Sequence, residues 1–248
     1  MLRFDKMRRW SKTAIIAHRG SGHRGPAKTT HENTLEAFEA AIQAGADAIE
    51  LDLRRTADGI IIVHHEAGPQ RSRRLWRDMT WVEIQQYAQR RGYAVGTIEE
   101  TLKLCAGRIA LDIELKEAGY ENEVLALTRR YYDNSTVAFT SFDASTIRRI
   151  KRVDTRAITG LIVGAGAASS RGGGGGDTLA IRRARRCGAD FIAPDWRLLE
   201  SGDEQTYRRS GFPLIVWTVN NRARGRRLIA EGFTGIITDF PEIMLPLT

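Results

Sequence analysis

The feature that most constrains the fold of this 248-residue chain is a regular alternation of short apolar, β-branched runs with stretches of helical periodicity. Such alternation predicts parallel strands joined by helical crossovers. The predicted strands are Ala14–Ala17, Ala48–Leu53, Ile109–Leu115, Thr136–Thr140, Ile158–Val163, Phe191–Ala193, Leu214–Thr218 and Gly235–Thr238. The predicted helices include Thr34–Ala44, Ile98–Ala106, Glu121–Tyr132, Ala144–Arg152, Leu179–Cys187, Glu204–Arg209 and Ala223–Glu231. Eight such strands favour a closed (β/α)₈ TIM barrel, for which about 250 residues is a common length.

A doubly wound open sheet is the alternative that the same alternation allows. Such a sheet usually carries a glycine-rich nucleotide loop directly after its first strand. Glycines do follow the first predicted strand here, between Gly20 and Gly25, but their context is not that of a nucleotide-binding loop. The closed barrel is therefore the preferred prediction.

A ninth apolar run, Ile60–His64, is explained by the Asp58-Gly59 pair that precedes it. Asp-Gly between two β runs is a strong hairpin signal. We therefore expect Ile60–His64 to return antiparallel along an extension of the second strand, which leaves the barrel count at eight. The polar segment at about 66–97 then forms an excursion at the rim, and residues 1–248 form one barrel domain.

The charge balance is strongly basic, with a formal net charge of +8 and a pI of about 9.9. A basic chain can bind nucleic acid, an anionic membrane surface or an anionic substrate. The arginines are scattered in pairs, such as Arg148-Arg149 and Arg182-Arg183, on predicted outer helices, which favours a solvated surface. No nucleic-acid-binding module is recognisable. We therefore expect no nucleic-acid partner and no obligate protein partner, and peripheral contact with an anionic membrane stays open.

Cysteine content and the amino terminus bear on localisation. Cys105 and Cys187 are the only cysteines, which excludes a disulfide framework and predicts buried free thiols. No apolar run approaches the ~20 residues that span a bilayer. The basic amino terminus lacks the long apolar stretch of a signal peptide. Together these features predict a cytoplasmic protein.

Carboxylates converge at the predicted mouth of the barrel, where barrel enzymes place their active sites. Glu50 and Asp52 are two residues apart on one strand, so their side chains point the same way. Asp112, Glu114 and Lys116 likewise share one face of the next barrel strand. Several buried carboxylates are too costly to leave uncompensated. A hard divalent cation with oxygen ligands is the natural compensation, and Lys116 can offset part of the charge.

Motifs along nearly the whole chain resemble those of the glycerophosphodiester phosphodiesterase family. They are AHRG at Ala17–Gly20, HENT at His31–Thr34, IELDLRRTADG at Ile49–Gly59, VHHE at Val63–Glu66, IELK at Ile113–Lys116, SFD at Ser141–Asp143, VWTVN at Val216–Asn220 and GIITDFPE at Gly235–Glu242. The order HRG, ExD, ExK is highly specific. The resemblance implies a phospholipase C-like phosphodiesterase barrel with one divalent cation, Mg²⁺ or Ca²⁺.

Carried over residue by residue, the resemblance implies that Glu50, Asp52 and Glu114 are the metal ligands. It implies that the catalytic residues are His18 and His65.

It further implies that Arg19 and Lys116 bind the phosphate. Strand alternation lets only one of His64 and His65 face the metal, and His65 is preferred for its distance from the Asp58-Gly59 turn. Asp112 is expected deeper in the barrel. Trp217 is assigned to packing against the glycerol or head group, with a core aromatic as the alternative.

The predicted reaction is metal-dependent hydrolysis of a glycerophosphodiester to glycerol phosphate and an alcohol, with the two histidines as general acid and base. The alternative is a lysophospholipase D-like enzyme that acts on lysophospholipids at the same site. A barrel that binds phosphoesters without catalysis is a third possibility, and the complete set of histidines and carboxylates argues against it.

Three departures from the family pattern concern loops near the substrate. The segment from His18 to Glu32 is longer than usual and carries His31 in place of proline. Glu66 replaces the usual aspartate. The glycine run Gly172–Gly176 predicts a mobile loop or a substrate lid. The extra histidines, His23 and His31, are expected to be solvent-exposed.

Overall fold

The computed structural model describes residues 1–9, 11–21, 31–69, 72–165, 175–200 and 204–248. The strands of this described part are β1 (Ala14–His18), β2 (Ala48–Arg55), β3 (Ile61–Val63), β4 (Ala110–Leu115), β5 (Val137–Ser141), β6 (Ile158–Val163), β7 (Phe191–Pro194), β8 (Ile215–Val216) and β9 (Gly235–Thr238). Its α-helices are α1 (Leu35–Ala44), α2 (Trp81–Gln89), α3 (Ile98–Cys105), α4 (Glu121–Arg129), α5 (Ala144–Val153), α6 (Gly175–Cys187), α7 (Trp196–Leu198), α8 (Glu204–Arg209), α9 (Arg222–Ala230) and α10 (Pro241–Met244).

The strands other than β3 form one parallel sheet in the order β7-β6-β5-β4-β2-β1-β9-β8. Single parallel bridges join the two ends of this path, Ile192 to Leu214 and Asp195 to Trp217. The backbone N–H of Trp217 also donates to the carbonyl of Pro194 at 3.1 Å. The sheet therefore closes on itself, and the predicted (β/α)₈ barrel is confirmed.

The extra strand β3 pairs antiparallel with the end of β2, with Val63 opposite Leu53. Gly59 lies in the left-handed region at φ 84°, as the tight Asp-Gly turn requires. The Asp58 carboxylate accepts from the backbone N–H of Trp81, which ties the turn to helix α2. The predicted hairpin is confirmed, and it delivers the following residues, His64 and His65, to the rim of the barrel.

Strand alternation separates the two sides of the barrel wall. Leu51 and Leu53 belong to the apolar layer between the strands and the outer helices. Inside the barrel, a second cluster includes Phe191 together with Phe4 and Met7 from the amino-terminal 3₁₀ helix. That helix packs against the turn that precedes β5, so it covers the bottom of the barrel. No local sequence pattern indicated this contribution.

The rim excursion carries a small apolar cluster of its own. Ile62 of β3 packs there with Trp76, Met79, Ile84, Ala88 and Val95. The Thr80 hydroxyl caps helix α2, and the Glu83 carboxylate accepts a hydrogen bond from the Thr80 backbone N–H. The excursion therefore contains a capped helix, while the assignment of the whole chain to one domain stays a prediction.

Two further sequence predictions concern the glycine run Gly172–Gly176 and the two cysteines. Residues 172–174 lie outside the described part of the chain, and helix α6 begins at Gly175. The lid prediction is thus untested. Cys105 and Cys187 are free and buried, and burial raises the pKa of Cys105 to about 12. None of the helices in the described ranges is long and apolar enough to cross a membrane.

Gly160 provides a test of the packing inside the barrel. A Cβ atom at this position would lie 2.3 Å from the ring of Phe191, which fills the space that the glycine leaves. We expect Gly160→Ala to lower the free energy of unfolding by about 1–3 kcal/mol, the usual cost of overpacking. Gly96→Ala is the control, because a Cβ atom there meets nothing within 4 Å. Urea denaturation measures both, and equal losses would contradict the assigned packing.

Candidate active site

A cavity of about 190 Å³ opens at the carboxyl ends of the barrel strands. It is lined by His18, Arg19, Glu50, His65, Asp112, Glu114, Lys116, Thr140, Phe142, Ile162, Ala193, Trp217 and Ile237. Seven of the eight sequence-predicted site residues are in this lining, and the eighth, Asp52, is fully buried beside it. The fold thus brings all eight residues to one place.

The three predicted metal ligands are neighbours because of the strand register. Strand β2 pairs with β4 so that Asp52 lies opposite Glu114, and Glu50 shares the face of Asp52. One oxygen from each of the three carboxylates lies within 4.8 Å of the others. All three side chains are buried. A hard divalent cation needs such a group of converging oxygens.

Two cations partly neutralise these carboxylates. The Nζ of Lys116 lies 2.8 Å from both Asp52 Oδ1 and Glu114 Oε1. The Nε of Arg19 lies 3.0 Å from Asp52 Oδ2. Burial by itself would raise the pKa of Asp52, but the charges of Lys116 and Arg19 hold it below its ordinary value.

The other two carboxylates are not fully neutralised. Burial raises the pKa of Glu114 to about 7, although Lys116 opposes the shift. Burial, followed by the charges of Asp52 and Glu114, raises the pKa of Glu50 well above its ordinary value. The cluster therefore favours further positive charge, whether as protons or as a bound cation.

Asp112 lies apart from this cluster, as expected from its earlier position on β4. Its Oδ1 accepts a hydrogen bond of 2.9 Å from the Thr140 hydroxyl on β5. Burial raises the pKa of Asp112 to about 7. The residue forms the polar floor of the cavity.

His18 is held by a residue from the opposite end of the sequence. Its Nδ1 lies 2.6 Å from Oδ1 of Asp239, which follows β9. The Asn220 side-chain amide donates to Oδ2 of Asp239 at 2.6 Å. The Nε2 of His18 lies 3.9 Å from Glu50. A carboxylate on Nδ1 fixes the orientation of the ring and leaves Nε2 for the cavity. Sequence reasoning noted Asp239 only as part of a motif at a strand end.

The adjacent histidines of the hairpin point in different directions. His65 lines the cavity, and its Nδ1 lies 2.9 Å from the Glu66 carboxylate. His64 packs edge-on against Trp76, with ring centroids 5.0 Å apart. Burial and the nearby charge of Lys116 lower the pKa of His65. This placement agrees with the choice of His65 over His64.

Arg54 holds His65 in position through the backbone. Its Nε and Nη2 both donate to the His65 carbonyl, at 2.9 and 2.7 Å. The remaining guanidinium nitrogen pairs with Glu117. Sequence reasoning missed Arg54, although its position two residues after Asp52 placed it on the same strand face.

Asn33 and the turn after β1 support the other side of the cluster. The Asn33 amide donates to Asp52 Oδ2 at 2.8 Å. The backbone N–H of Arg19 donates to Glu50 at 3.1 Å. Gly20 has φ 81°, and a Cβ atom there would lie 2.7 Å from the backbone of Ala37. Only glycine fits this turn, which explains the glycine of the HRG motif. The functional relevance of Asn33 was indicated only by the HENT motif.

The remaining wall of the cavity is apolar. Trp217 donates its indole N–H to the carbonyl of Ala193 at 2.8 Å, which fixes the ring. The Phe142 ring packs perpendicular to it at 5.6 Å and is 44% exposed. Phe142 was not among the predicted site residues. Of the extra histidines, His31 is exposed as expected, and His23 lies outside the described residues.

Comparison with known proteins identifies related enzymes. The chain is 27% identical over 252 residues to a glycerophosphodiester phosphodiesterase of Caldanaerobacter subterraneus, covering 95% of this chain and 98% of the relative. It is 26% identical to a glycerophosphodiester phosphodiesterase of Bacillus subtilis, covering 89% of this chain and 83% of the relative.

Solved structures show the same fold. The glycerophosphodiester phosphodiesterase from Thermotoga maritima superposes with a TM-score of 0.77 at 25% identity, covering 96% of this chain and all of that one. An Oleispira antarctica phosphodiesterase, in complex with the product sn-glycerol-3-phosphate, has a TM-score of 0.77 at 20% identity, with coverage of 95% and 96%.

The model of the glycerophosphoryl diester phosphodiesterase family matches residues 18–243, a segment that begins at the first cavity histidine. It includes both cavity histidines, the three buried carboxylates and the residues that hold them. By this match, the chain belongs to the glycerophosphoryl diester phosphodiesterase family.

Proposed function

We propose that this protein hydrolyses glycerophosphodiesters to glycerol phosphate and an alcohol, with one divalent cation and two histidines. The observation that carries the proposal is the position of His18 and His65 on the same cavity as the buried carboxylate cluster. Two related proteins carry the name glycerophosphodiester phosphodiesterase, and a protein with the same fold is in complex with sn-glycerol-3-phosphate. These relationships support the substrate class.

Glu50, Asp52 and Glu114 would hold the cation, Mg²⁺ or Ca²⁺. Their fit is supported by three converging carboxylates whose charge the neighbouring side chains do not fully neutralise. When bound, a divalent cation would supply positive charge that offsets the phosphate and the charge that develops on its oxygens. Lys116 and Arg19, which pair with these carboxylates in the structure, would then be available to bind the phosphate anion.

The environments of the two histidines suggest different roles. Asp239 at Nδ1 stabilises the positive charge that His18 acquires when it accepts a proton, as expected for a general base. The Nδ1 of His65 instead faces the exposed Glu66 carboxylate, and burial together with the charge of Lys116 lowers the pKa of His65. An anionic phosphate offsets this positive charge on binding, so His65 would be protonated in the complex and act as the general acid.

The nucleophile is proposed to come from the substrate. His18 removes the proton of the glycerol hydroxyl next to the phosphoester, and the oxygen attacks phosphorus to give a cyclic phosphate. His65 protonates the departing alcohol. Water then opens the ring, and the proton transfers run in reverse. Intramolecular attack benefits from an effective molarity of ~10⁵ M or more in well-oriented cases.

A lysophospholipid is the second candidate substrate. The observation that favours it is the apolar wall formed by Trp217 and Phe142, since a phenylalanine ring that is 44% exposed at a cavity mouth can contact an acyl chain. Comparing glycerophosphocholine with lysophosphatidylcholine distinguishes the two substrates, because they release the same alcohol. Faster turnover of lysophosphatidylcholine would favour the lipid substrate.

Chelation tests the dependence on a metal. Excess EDTA should abolish turnover, and one divalent ion per chain should restore it. Glu114→Gln should weaken cation binding at least ~10-fold, because it removes one of three charged ligands. Glu99→Gln is the matched control, since Glu99 of helix α3 is a partly exposed carboxylate that accepts a hydrogen bond from the Tyr131 hydroxyl. Calorimetric titration measures affinity, and full activity in EDTA would refute metal dependence.

Alanine substitution separates the roles of the neighbouring histidines. His18→Ala and His65→Ala should each reduce kcat by at least ~10²-fold, the usual scale for general acid–base groups. His64→Ala should reduce it far less, because His64 packs against Trp76 and does not line the cavity. Thermal denaturation of each variant controls for folding. An essential His64 with a dispensable His65 would contradict the proposed site.

A substrate analogue tests the origin of the nucleophile. A glycerophosphodiester whose 2-hydroxyl is removed or methylated should still bind, because the phosphate contacts remain. Its turnover should be negligible, since no intramolecular attack is possible. Competitive inhibition of the natural substrate measures binding, and product release measures turnover. Normal turnover of the analogue would mean that water attacks phosphorus directly.

A further inference from the structure

A second cavity, of about 520 Å³, lies beside the candidate active site, between the end of the hairpin and the rim excursion. We refer to it as the aromatic cavity. Five rings contribute to its lining: His31, His64, Trp76, Tyr87 and Tyr93. None of these residues has a role in the proposed reaction.

The rings are arranged as contacting pairs. Trp76 packs edge-on against His64 at 5.0 Å and against Tyr87 at 5.6 Å between centroids. His31 and Tyr93 form a tilted pair at 5.5 Å. Trp76 is buried, whereas Tyr87 and Tyr93 are half-buried and leave part of their surface accessible. The accessible tyrosine rings provide faces on which a ligand can lie.

The lining of the aromatic cavity carries more acidic than basic side chains. Among the described residues of the lining, Glu32 and Glu66 are acidic and Arg91 is basic. The guanidinium of Arg91 already lies 4.1 Å from the centroid of the Tyr87 ring. A ring face in this cavity thus already accepts a cation, in the geometry of a cation–π interaction.

Three hydrogen-bonded pairs form the wall between the aromatic cavity and the active site. In each pair, the residue that lines the aromatic cavity contacts a residue of the active site. Glu66 lies 2.9 Å from His65, Glu32 2.8 Å from Arg19, and Asn33 2.8 Å from Asp52. The aromatic cavity is therefore one side chain away from the groups proposed to bind and protonate the substrate.

We propose that the aromatic cavity binds the cationic part of an alkylammonium alcohol as it leaves the phosphodiester. The proposal rests on the proposed function, in which His65 protonates the leaving oxygen. That oxygen must then lie beside His65, whose Nδ1 is paired with Glu66 in the lining of the aromatic cavity. A short two-carbon chain separates the nitrogen of a choline-type alcohol from this oxygen. Carboxylates and tyrosine rings, both present in the aromatic cavity, are groups that recognise quaternary ammonium ions.

Direct binding tests the site without turnover. Choline and its neutral isostere 3,3-dimethylbutan-1-ol are titrated into the full-length protein and followed by ligand-observed NMR. We expect choline to bind at least ~10-fold more tightly than the neutral alcohol, and Tyr93→Leu to weaken choline binding roughly two- to tenfold. Tyr131→Leu is the matched control, since Tyr131 contacts Arg130 on the outer surface. Absence of choline binding, or equal affinity for the two alcohols, would overturn the proposal.

Substrate discrimination provides the second test. We compare kcat/KM for glycerophosphocholine with that for the glycerophosphodiester of 3,3-dimethylbutan-1-ol. The ratio should exceed ~10 in the unaltered protein and fall towards one in Tyr93→Leu and in Glu66→Gln. Because the ratio compares two substrates of one variant, a general loss of activity cancels. A ratio near one in the unaltered protein would refute the proposal.

Glycerophosphoglycerol distinguishes this proposal from the proposed function. Its alcohol carries no charge, so its turnover depends on the active site alone. Hydrolysis of glycerophosphoglycerol together with a ratio near one would refute the head-group site and leave the hydrolase proposal standing. No hydrolysis of any of the three diesters, with the metal present, would refute the hydrolase itself.

Discussion

Repulsion among the buried carboxylates of Glu50, Asp52 and Glu114 is the interaction on which the active-site end of the barrel depends. Three such groups within 4.8 Å of one another repel, and burial removes the water that would screen them. Lys116 and Arg19 compensate chiefly Asp52, whose pKa is lowered, while the pKa of Glu50 and of Glu114 is raised. A site that concentrates uncompensated negative charge in this way is suited to bind a divalent cation and, through it, a phosphate.

The reactive groups are held in place by neighbouring side chains that are not themselves proposed to react. Asp239 orients His18, Arg54 holds the backbone of His65, and Asn33 contacts Asp52. Asp239 is itself held by a further side chain, because the Asn220 amide donates a hydrogen bond to it. Such support reduces the freedom of the ligand and histidine side chains, which is required for groups that must meet one phosphate.

Ion pairs with carboxylates neutralise part of the arginine charge. Arg149 pairs with Glu121, Arg129 with Asp154, and Arg208 with both Glu204 and Glu231. The Arg208–Glu204 pair lies within helix α8, and the other pairs link neighbouring outer helices or their ends. The Glu121 and Asp154 carboxylates are buried, whereas their arginine partners are partly exposed. Much of the arginine content is therefore part of the outer layer of the fold, as the scattered pattern in the sequence indicated.

Local patterns in the sequence determined the element order, the hairpin and the side of each strand on which the carboxylates lie, because alternation and turn preference depend on adjacent residues. The same alternation predicted that only one of His64 and His65 faces the cluster, and the choice of His65 rested on its distance from the Asp58-Gly59 turn. Only the tertiary structure decided which groups meet across the barrel: Asp239 reaches His18 across 221 positions of sequence, and Phe4 closes the barrel floor. The aromatic cavity likewise exists only because the hairpin and the rim excursion pack together. Contacts between residues far apart in the sequence depend on how the whole barrel packs together, which no local sequence pattern specifies.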